Sequence, residues 1–367
     1  MKVWVVSHAY CFSVNHDKLC ALSSLPDVEL TLLAPVAWRG PFGMAGLGPA
    51  KGQYRVVPAR IVMNGRIGAY MFRGGLGELR RARPDIVHAE VEPWSLAALQ
   101  CVVAAGRAPV VLFTWENLEG PRRLLARAVE RFVLRRAAFV IAGNQLARAR
   151  ILRRGVAAGR VALLPQFGVD PERYAGGAAS RRRGALGLGS PIVGYVGRLV
   201  AEKGIDLLID ALEPLEASLL VVGDGPERAE LELRLAAWPG GKAALVGAVD
   251  HAAVPDYLAC LDALVLPSRT TLSWAEQFGH VLIEAMAAGV AVIGSSSGAI
   301  PEVIGDAGLL FPESDVESLR RQLAWVLGDE ALRKTLVARG RERVRQRYTH
   351  TAVAAAQRDI YVRLLAG

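Results

Sequence analysis

Several features that define particular classes of protein are scarce in this 367-residue sequence. Its four cysteines stand far apart and form no Cys-x-x-Cys pair, which argues against a disulfide framework or a zinc knuckle. The longest apolar candidate, residues 95–113, is interrupted by Gln100 and Arg107, so no stretch reaches the roughly 18 apolar residues of a membrane span. Only five residues separate Lys2 from His8, fewer than the about 7–15 apolar residues of an export signal. The six histidines show no metal-ligand spacing. We therefore expect a cytoplasmic globular protein without a metal site.

The composition narrows the function classes further. Hydrophobic residues are 52% and charged residues 22% of the chain, which is ample for a folded core and excludes general disorder. Aromatic residues are only 7%, which disfavours the stacking platforms that bind single-stranded nucleic acid. Residues 1–168 hold 23 Lys and Arg against 10 Asp and Glu, while residues 169–367 hold 21 against 25. This asymmetry leaves two interpretations open: an anionic partner (nucleic acid, a lipid surface or a phosphorylated ligand), or plain solubility.

Short apolar runs alternate with helical patterns along the chain, as in layered βαβ folds. The predicted strands are Val3–Val6, Glu29–Leu33, Asp85–His88, Val110–Thr114, Phe139–Ala142 and Val161–Leu164, then Ile192–Val196, Leu219–Val222, Ala244–Val246, Ala263–Leu266 and Ala291–Ile293. Between the two series, residues 175–183 read AGGAASRRR, a composition that suits a linker. We predict an α/β protein of two Rossmann-like domains facing each other across a cleft. Residues 1–170 form the first, 171–190 the linker and 191–347 the second, and a C-terminal helix over 348–367 packs back toward the first domain.

The first chemically informative segment follows the strand 192–196. Gly197 and Arg198 end that strand, and Lys203 comes five residues after Arg198, near a predicted helix start. Ligands of parallel sheets bind beyond the carboxyl ends of the strands, where a helix N-terminus adds N–H groups for an anion. Arg198 and Lys203 are therefore expected to face a phosphate together; the alternative is two solvated cations beside a tight turn. The strands ending near residues 223–225 and 246 run into similar turns.

The most specific segment is residues 276–293, EQFGHVLIEAMAAGVAVI. Its apolar spacing predicts a helix from His280, with Glu276 in the preceding loop and Glu284 about one turn inside. Carboxylates at these places can contact hydroxyl groups, while the first amides of the helix receive an anion. A Glu-x7-Glu pair alone also occurs by chance in helical proteins, so this pair indicates a ligand site only together with the neighbouring motifs.

Taken in order, the Gly-Arg-x4-Lys-Gly element, the Gly-Asp-Gly-Pro turn and the Glu-x-Phe-Gly-x4-Glu-Ala-Met-Ala-x-Gly segment resemble the retaining group-1 glycosyltransferases (family 4), of the GT-B type. The resemblance is close over residues 190–312 and looser over the first 170. It implies transfer of a sugar from a UDP- or GDP-sugar to a glycan, glycolipid or small-molecule acceptor, with retained configuration and no bound cofactor. The absence of an Asp-x-Asp motif fits catalysis without a metal.

The resemblance also implies roles for individual residues. Arg198 and Lys203 would bind the diphosphate, Glu284 the ribose, and Glu276 the sugar ring. The implied catalytic residues are Glu276, Arg198, Lys203 and Glu116, and the implied donor-binding residues are Gly197, Gly223, Gly225, Val246, Phe278, Gly279, His280 and Glu284. Two fixed cations and a helix N-terminus suit this reaction, because the departing diphosphate gains negative charge.

The first domain departs from the family pattern. The loop at residues 8–18 lacks the usual glycine pair, and we keep only Asn15 from it as an acceptor candidate. Glu116 stands where the family often has histidine; it hydrogen-bonds a sugar hydroxyl, orients the acceptor, or only caps the next helix. Glu90 and Glu92, beside Trp94, either bind a polyol acceptor or supply acids to a helix start.

The pattern of residues 121–137 predicts a basic amphipathic helix, with Leu124, Leu125, Ala128, Val129, Phe132 and Val133 on one face and arginines elsewhere. Such a helix either covers its own sheet or lies on an anionic membrane, which would place the enzyme peripherally at the inner membrane face. Two other functions stay open at this point: a nucleotide-sugar epimerase of similar fold, and a basic nucleic-acid-binding protein.

Overall fold

The computed structural model describes residues 1–40, 43–120, 124–175, 179–238 and 242–366. The chain divides into two compact units, one of Met1–Gly168 with His350–Gly367 and one of Val169–Thr349. Each unit is a layered α/β structure on a largely parallel sheet, so the predicted fold class of two Rossmann-like units is confirmed.

The first unit contains an eight-stranded sheet and a separate hairpin. Its strands are β1 (Lys2–Val6), β2 (Glu29–Pro35), β3 (Ala37–Gly40), β4 (Gly43–Gly46), β5 (Tyr54–Val62), β6 (Met71–Arg73), β7 (Ile86–Ala89), β8 (Val110–Thr114), β9 (Phe139–Ala142) and β10 (Val161–Leu163). Its helices are α1 (His16–Ser23), α2 (Leu76–Ala82), α3 (Leu96–Ala104), α4 (Leu124–Arg136) and α5 (Gln145–Arg153). The sheet order is β10-β9-β8-β7-β1-β2-β5-β6, and β3 pairs with β4. Because β1 is flanked by β2 and β7, Val5 lies opposite both Leu32 and His88 and is fully buried.

All six strands predicted for this unit are present, with ends shifted by at most two residues. The hairpin, β5 and β6 were not predicted. Pro58 lies inside β5, and a proline argues against a strand because it removes a ladder donor. The proline is tolerated because β5 lies near the edge of the sheet, where its neighbours are β2 and the three-residue strand β6.

Helix α4 does not bury the whole apolar face that the sequence predicts. Val129 and Val133 are buried in the core, but Leu124, Leu125 and Phe132 are 82%, 70% and 47% exposed. The sequence left open whether this apolar face covers the sheet or a membrane, and the structure shows that the helix covers the core only from Val129 onward. Residues 121–123 of the predicted helix lie outside the described residues. Among the helices described, none is long and apolar enough to cross a membrane.

The final helix, α14 (His350–Leu365), belongs to the first unit and packs on α1. Arg358 binds Asp27 with 2.9 Å between Nη2 and Oδ2, and the Tyr361 hydroxyl lies 2.7 Å from His88 Nδ1. Helix α14, late in the sequence, thus packs in the same unit as β1 and α1, which come first in the sequence.

The second unit contains a six-stranded parallel sheet. Its strands are β11 (Ile192–Val196), β12 (Ser218–Val222), β13 (Ala243–Leu245), β14 (Ala263–Leu266), β15 (Ala291–Ser295) and β16 (Gly308–Phe311), in the order β13-β12-β11-β14-β15-β16. Its helices are α6 (Ala179–Leu186), α7 (Ile205–Leu212), α8 (Arg228–Ala236), α9 (Val254–Leu258), α10 (His280–Ala288), α11 (Ile300–Ile304), α12 (Val316–Gly328) and α13 (Glu330–Arg347). The five predicted strands are all present. The predicted linker, 171–190, lies in this unit and includes α6 and a 3-10 turn at Pro171–Tyr174. Its residues 176–178 lie outside the described residues.

Candidate functional site

The carboxyl ends of the parallel strands in the second unit lie at one edge of its sheet, and backbone hydrogen bonds hold the turns there together. The amide of Gly197, after β11, donates to Val222 O at 3.0 Å, and the amide of Gly223, after β12, donates to Gly247 O at 3.0 Å. Val246, after β13, donates to Val221 O at 2.8 Å. Three predicted donor-binding positions therefore sit on adjacent strand ends.

The turn after β12 requires glycine at position 223. Its φ is +148°, and a Cβ atom there would lie 1.8 Å from the carbonyl oxygen of Gly197. Any side chain would push the two turns apart. Gly225 continues the same turn, where the amide of Leu199 donates to Asp224 O at 3.0 Å. The edge is therefore lined by backbone that a ligand can approach closely.

Lys203 and Glu276 meet at this edge although 73 residues separate them in sequence. The Lys203 ammonium lies 2.5 Å from Glu276 Oε2, and the Ser268 hydroxyl donates to the same oxygen at 2.8 Å. Ser268 is fully buried, Glu276 is only 6% exposed and the Lys203 side chain is 13% exposed, so the ammonium and the carboxylate are both held in place by the surrounding protein. Ser268 was not predicted as a site residue; it is the second residue after β14, at the strand end where such sheets bind ligands.

Arg198 lies on the turn after β11, five residues before Lys203. Its guanidinium is half-buried, with Glu202 Oε1 at 4.0 Å from Nη2. The Tyr195 hydroxyl donates to the Arg198 carbonyl at 2.7 Å and so fixes this turn. Burial raises the pKa of Tyr195, and the negative charge of Glu276 raises it further, so this hydroxyl keeps its proton.

Glu284 lies in the middle of α10, which begins after the left-handed turn at Gly279, whose φ is +78°. Its Oε1 is 3.0 Å from His251 Nε2 and 3.9 Å from Nδ1 of His280, and the Tyr174 hydroxyl also donates to it. Burial alone would raise the pKa of Glu284. The hydrogen bonds from His251 and Tyr174 and the charges of the His280 and His251 rings lower that pKa below its usual value, so Glu284 is an ionised carboxylate. His251 and Tyr174 were missed by sequence reasoning because they reach Glu284 from distant 3-10 turns and belong to no motif.

The first unit has its own polar cluster where β7 and β8 end. Glu92 accepts the Thr114 hydroxyl at 2.6 Å and the Trp115 amide at 3.0 Å, and Thr114 Oγ1 accepts the Glu116 amide at 3.1 Å. Burial raises the pKa of Glu92 to about 7, and the charge of Glu116 adds to this. Glu92 thus shapes the loop that carries Glu116, and Glu116 is half-exposed.

Glu90 and Asn15 serve internal contacts. Glu90 is buried in an ion pair with Lys18 and accepts the Tyr10 hydroxyl at 2.8 Å and the Gln166 amide at 2.9 Å. The Asn15 side chain donates to Ala9 O at 2.7 Å. We expected both residues on the acceptor side. The oxygens of Glu90 already bind the protein's own donors, and an acceptor contact of either residue stays a prediction.

Comparison with known proteins identifies the family on both units. Residues 178–343 match the family model "Glycosyl transferases group 1", and residues 20–166 match "Glycosyl transferase 4-like domain". The 2-deoxystreptamine N-acetyl-D-glucosaminyltransferase of Streptomyces fradiae is 33% identical over 71% of this chain and 67% of that protein. The sulfoquinovosyl transferase SQD2 of Arabidopsis thaliana is 27% identical over 79% of this chain. That match spans only 57% of SQD2, less than two thirds of its length.

Solved structures show the same fold over nearly the whole chain. HepE of Anabaena, solved with UDP, has a TM-score of 0.76 at 18% identity, covering 99% of this chain and 100% of that one. A glycosyltransferase of Rickettsia africae has a TM-score of 0.77 at 15% identity, covering 99% and 98%. At such identities the likeness shows the GT-B fold alone. Together with the two family models and the Streptomyces relative, it shows that the chain belongs to the group-1 glycosyltransferases, enzymes that use nucleotide-sugar donors.

Proposed function

We propose that this protein is a retaining, metal-independent glycosyltransferase whose second unit binds the nucleotide-sugar donor. The observation that carries the proposal is the contact of Lys203 with Glu276 beside the glycine turns at 197 and 223. A fixed ammonium suits a diphosphate, and an adjacent carboxylate suits sugar hydroxyls. HepE, which shares the fold, has been solved with UDP and with UDP-glucose, and this favours a uridine nucleotide as the first donor to test.

The proposed reaction breaks the bond between the sugar's anomeric carbon and the diphosphate oxygen and forms a bond to an acceptor hydroxyl oxygen on the same face. The acceptor proton passes to an oxygen of the departing diphosphate. Lys203, Arg198 and the first amides of α10 stabilise the negative charge of the leaving group, a task that a metal performs in other enzymes. Glu276 holds the sugar and Glu284 the ribose, where the ribose shares the carboxylate with His251. On the first unit, Glu116 contacts the acceptor.

Single substitutions in the second unit test the donor site. Lys203→Ala and Glu276→Ala are each expected to lower transfer at least about 100-fold, because each removes a group that acts on the reacting sugar diphosphate. Lys334→Ala is the matched control, since the Lys334 side chain is 75% exposed and pairs with Glu330 on its own helix. Transfer is measured with UDP- and GDP-sugars, after thermal-shift screening identifies the nucleotide that stabilises the protein. Near-normal turnover by either site variant contradicts the assignment, and epimerised donor without acceptor would favour the epimerase alternative.

We further propose that the acceptor is a glycan, glycolipid or other hydroxyl-bearing molecule, and that the enzyme works in the cytoplasm in peripheral contact with an anionic membrane. Helix α4 supports the contact, because exposed Leu125 and Phe132 lie on the helix that also exposes Arg127, Arg131 and Arg135. These arginines, with Arg153, Arg154 and Arg160, line a cavity of about 640 Å³. The four free thiols agree with a reducing compartment.

Sedimentation with vesicles tests this contact. We expect binding to phosphatidylglycerol vesicles and little binding to phosphatidylcholine vesicles, with loss of binding in the Leu125→Asp/Phe132→Asp variant. Leu233→Asp is the control, because Leu233 is 76% exposed on α8 of the other unit. Equal sedimentation of the two variants would remove α4 from the proposal.

A further inference from the structure

The loop between β14 and α10 is firmly held although its tip reaches into solvent. Arg269 Nη2 binds Asp206 Oδ2 at 2.5 Å. The Thr270 hydroxyl donates to Glu313 Oε1 at 2.8 Å and lies 2.9 Å from Ser297 Oγ. These contacts tie the first residues of the loop to α7, to the loop after β15 and to the loop before α12. Side chains that follow in the loop are therefore presented in defined positions.

A tight turn at the tip sets the position of Trp274. Its amide donates to Thr271 Oγ1 at 3.0 Å, and the Thr271 amide donates to the Trp274 carbonyl at 2.7 Å. Leu272, between them, is fully exposed, whereas Trp274 is half-buried. The ring of Trp274 lies 5.0 Å from the ammonium of Lys203, which is close enough for a cation–π contact.

The lysine needs such a partner if its other contact changes during the reaction. In the structure, Glu276 holds the ammonium at 2.5 Å. A sugar that binds Glu276 competes for that carboxylate, and a lysine side chain is long and flexible. An aromatic face attracts the ammonium without accepting a conventional hydrogen bond, so its three N–H groups stay available for phosphate oxygens.

We propose that Trp274 is a positioning residue that keeps Lys203 directed at the donor diphosphate. The inference rests on the proposed donor site and adds to it a residue that no sequence motif marks. It also explains why the loop is anchored so firmly before a fully exposed leucine: the anchors and the turn at Thr271 hold the indole ring over the lysine.

Aromatic and aliphatic replacements separate this role from simple packing. Calorimetric titration with UDP, or with GDP if only guanine nucleotides bind, measures affinity for the diphosphate. We expect Trp274→Leu to raise the Kd about fivefold to thirtyfold and Trp274→Phe to stay within about threefold of wild type, because phenylalanine keeps a π face. Binding of the nucleoside without phosphate should not change in either variant. Leu272→Ala, at the tip of the same loop, is the control and should bind UDP like wild type.

A double-mutant cycle with Lys203→Met decides whether Trp274 acts through the lysine. In the Lys203→Met background, Trp274→Leu should cause no further loss of diphosphate affinity. An equal loss in both backgrounds, or equal affinities of Trp274→Leu and Trp274→Phe, overturns the proposal. If Trp274→Leu lowers the melting temperature, Trp274→Met supplies a second aliphatic variant for the same cycle. Failure of the wild type to bind either diphosphate would overturn the donor site itself, a result distinct from failure of the Trp274 role alone.

Discussion

Replacing Glu92 by glutamine should stabilise the protein above neutral pH and leave it nearly unchanged at low pH. Burial raises the pKa of Glu92 from 4.5 to about 7 in the folded state. Between these two values the folded protein keeps a proton that the unfolded chain has released, so the free energy of unfolding falls as pH rises, by about 1.4 kcal/mol per pH unit. Over this window the loss reaches about 3 kcal/mol, and above pH 7 it stays constant. Glutamine has no proton to lose and escapes the penalty.

The assay is urea-induced unfolding of wild type and Glu92→Gln at pH 5, 6, 7 and 8, followed by tryptophan fluorescence. Burial lowers the pKa of His8 and of His88 to about 4, and their contribution to stability is lost as pH falls below about 6.5. Both proteins contain these histidines, so the difference between them isolates Glu92. Glu29→Gln, which removes an exposed carboxylate of the same unit, is the control for the loss of a surface charge.

The reasoning is refuted if the difference in unfolding free energy between Glu92→Gln and wild type is the same at every pH. That result would mean that Glu92 ionises normally in the folded protein. Its hydrogen bonds from Thr114 and Trp115 would then offset the cost of burial.

Two further substitutions test packing. Lys18→Met should lower the free energy of unfolding by about 3–5 kcal/mol, because it leaves Glu90 charged and buried. Adding Glu90→Gln should recover most of this loss in urea unfolding. If Lys18→Met does not change the free energy of unfolding, Glu90 is protonated instead. Gly223→Ala should abolish the melting-temperature rise caused by the nucleotide, since its Cβ would meet Gly197 O at 1.8 Å. Gly328→Ala should keep that rise, because among the described residues a Cβ at Gly328 would meet nothing within 4 Å beyond its own stretch of helix. An unaltered nucleotide shift in Gly223→Ala would contradict the close contact of the two turns.

The amino-acid sequence was sufficient to predict most strands of both sheets, because a buried parallel strand is a short apolar run that can be recognised without knowing its neighbours. It also predicted the strand-end positions of Gly197, Gly223 and Val246 and the helix start at His280. The sequence did not predict features that depend on contacts with residues distant in the sequence. Strand β5 contains Pro58, which is unusual inside a strand, and the helical period alone did not distinguish buried Val133 from exposed Leu125.

The tertiary structure alone decided which distant side chains meet. Lys203 and Glu276, and Glu284 and His251, approach each other because parallel strands bring their carboxyl ends to one edge, whatever the sequence separation. The same holds for Glu90, because the sequence places a carboxylate at this strand end but does not reveal that Lys18 pairs with it. Periodicity and turn residues predict the secondary structure and burial of each segment. Which side chains contact each other depends on the packing of the whole unit. The anchored ring of Trp274 over Lys203 is therefore visible only in three dimensions.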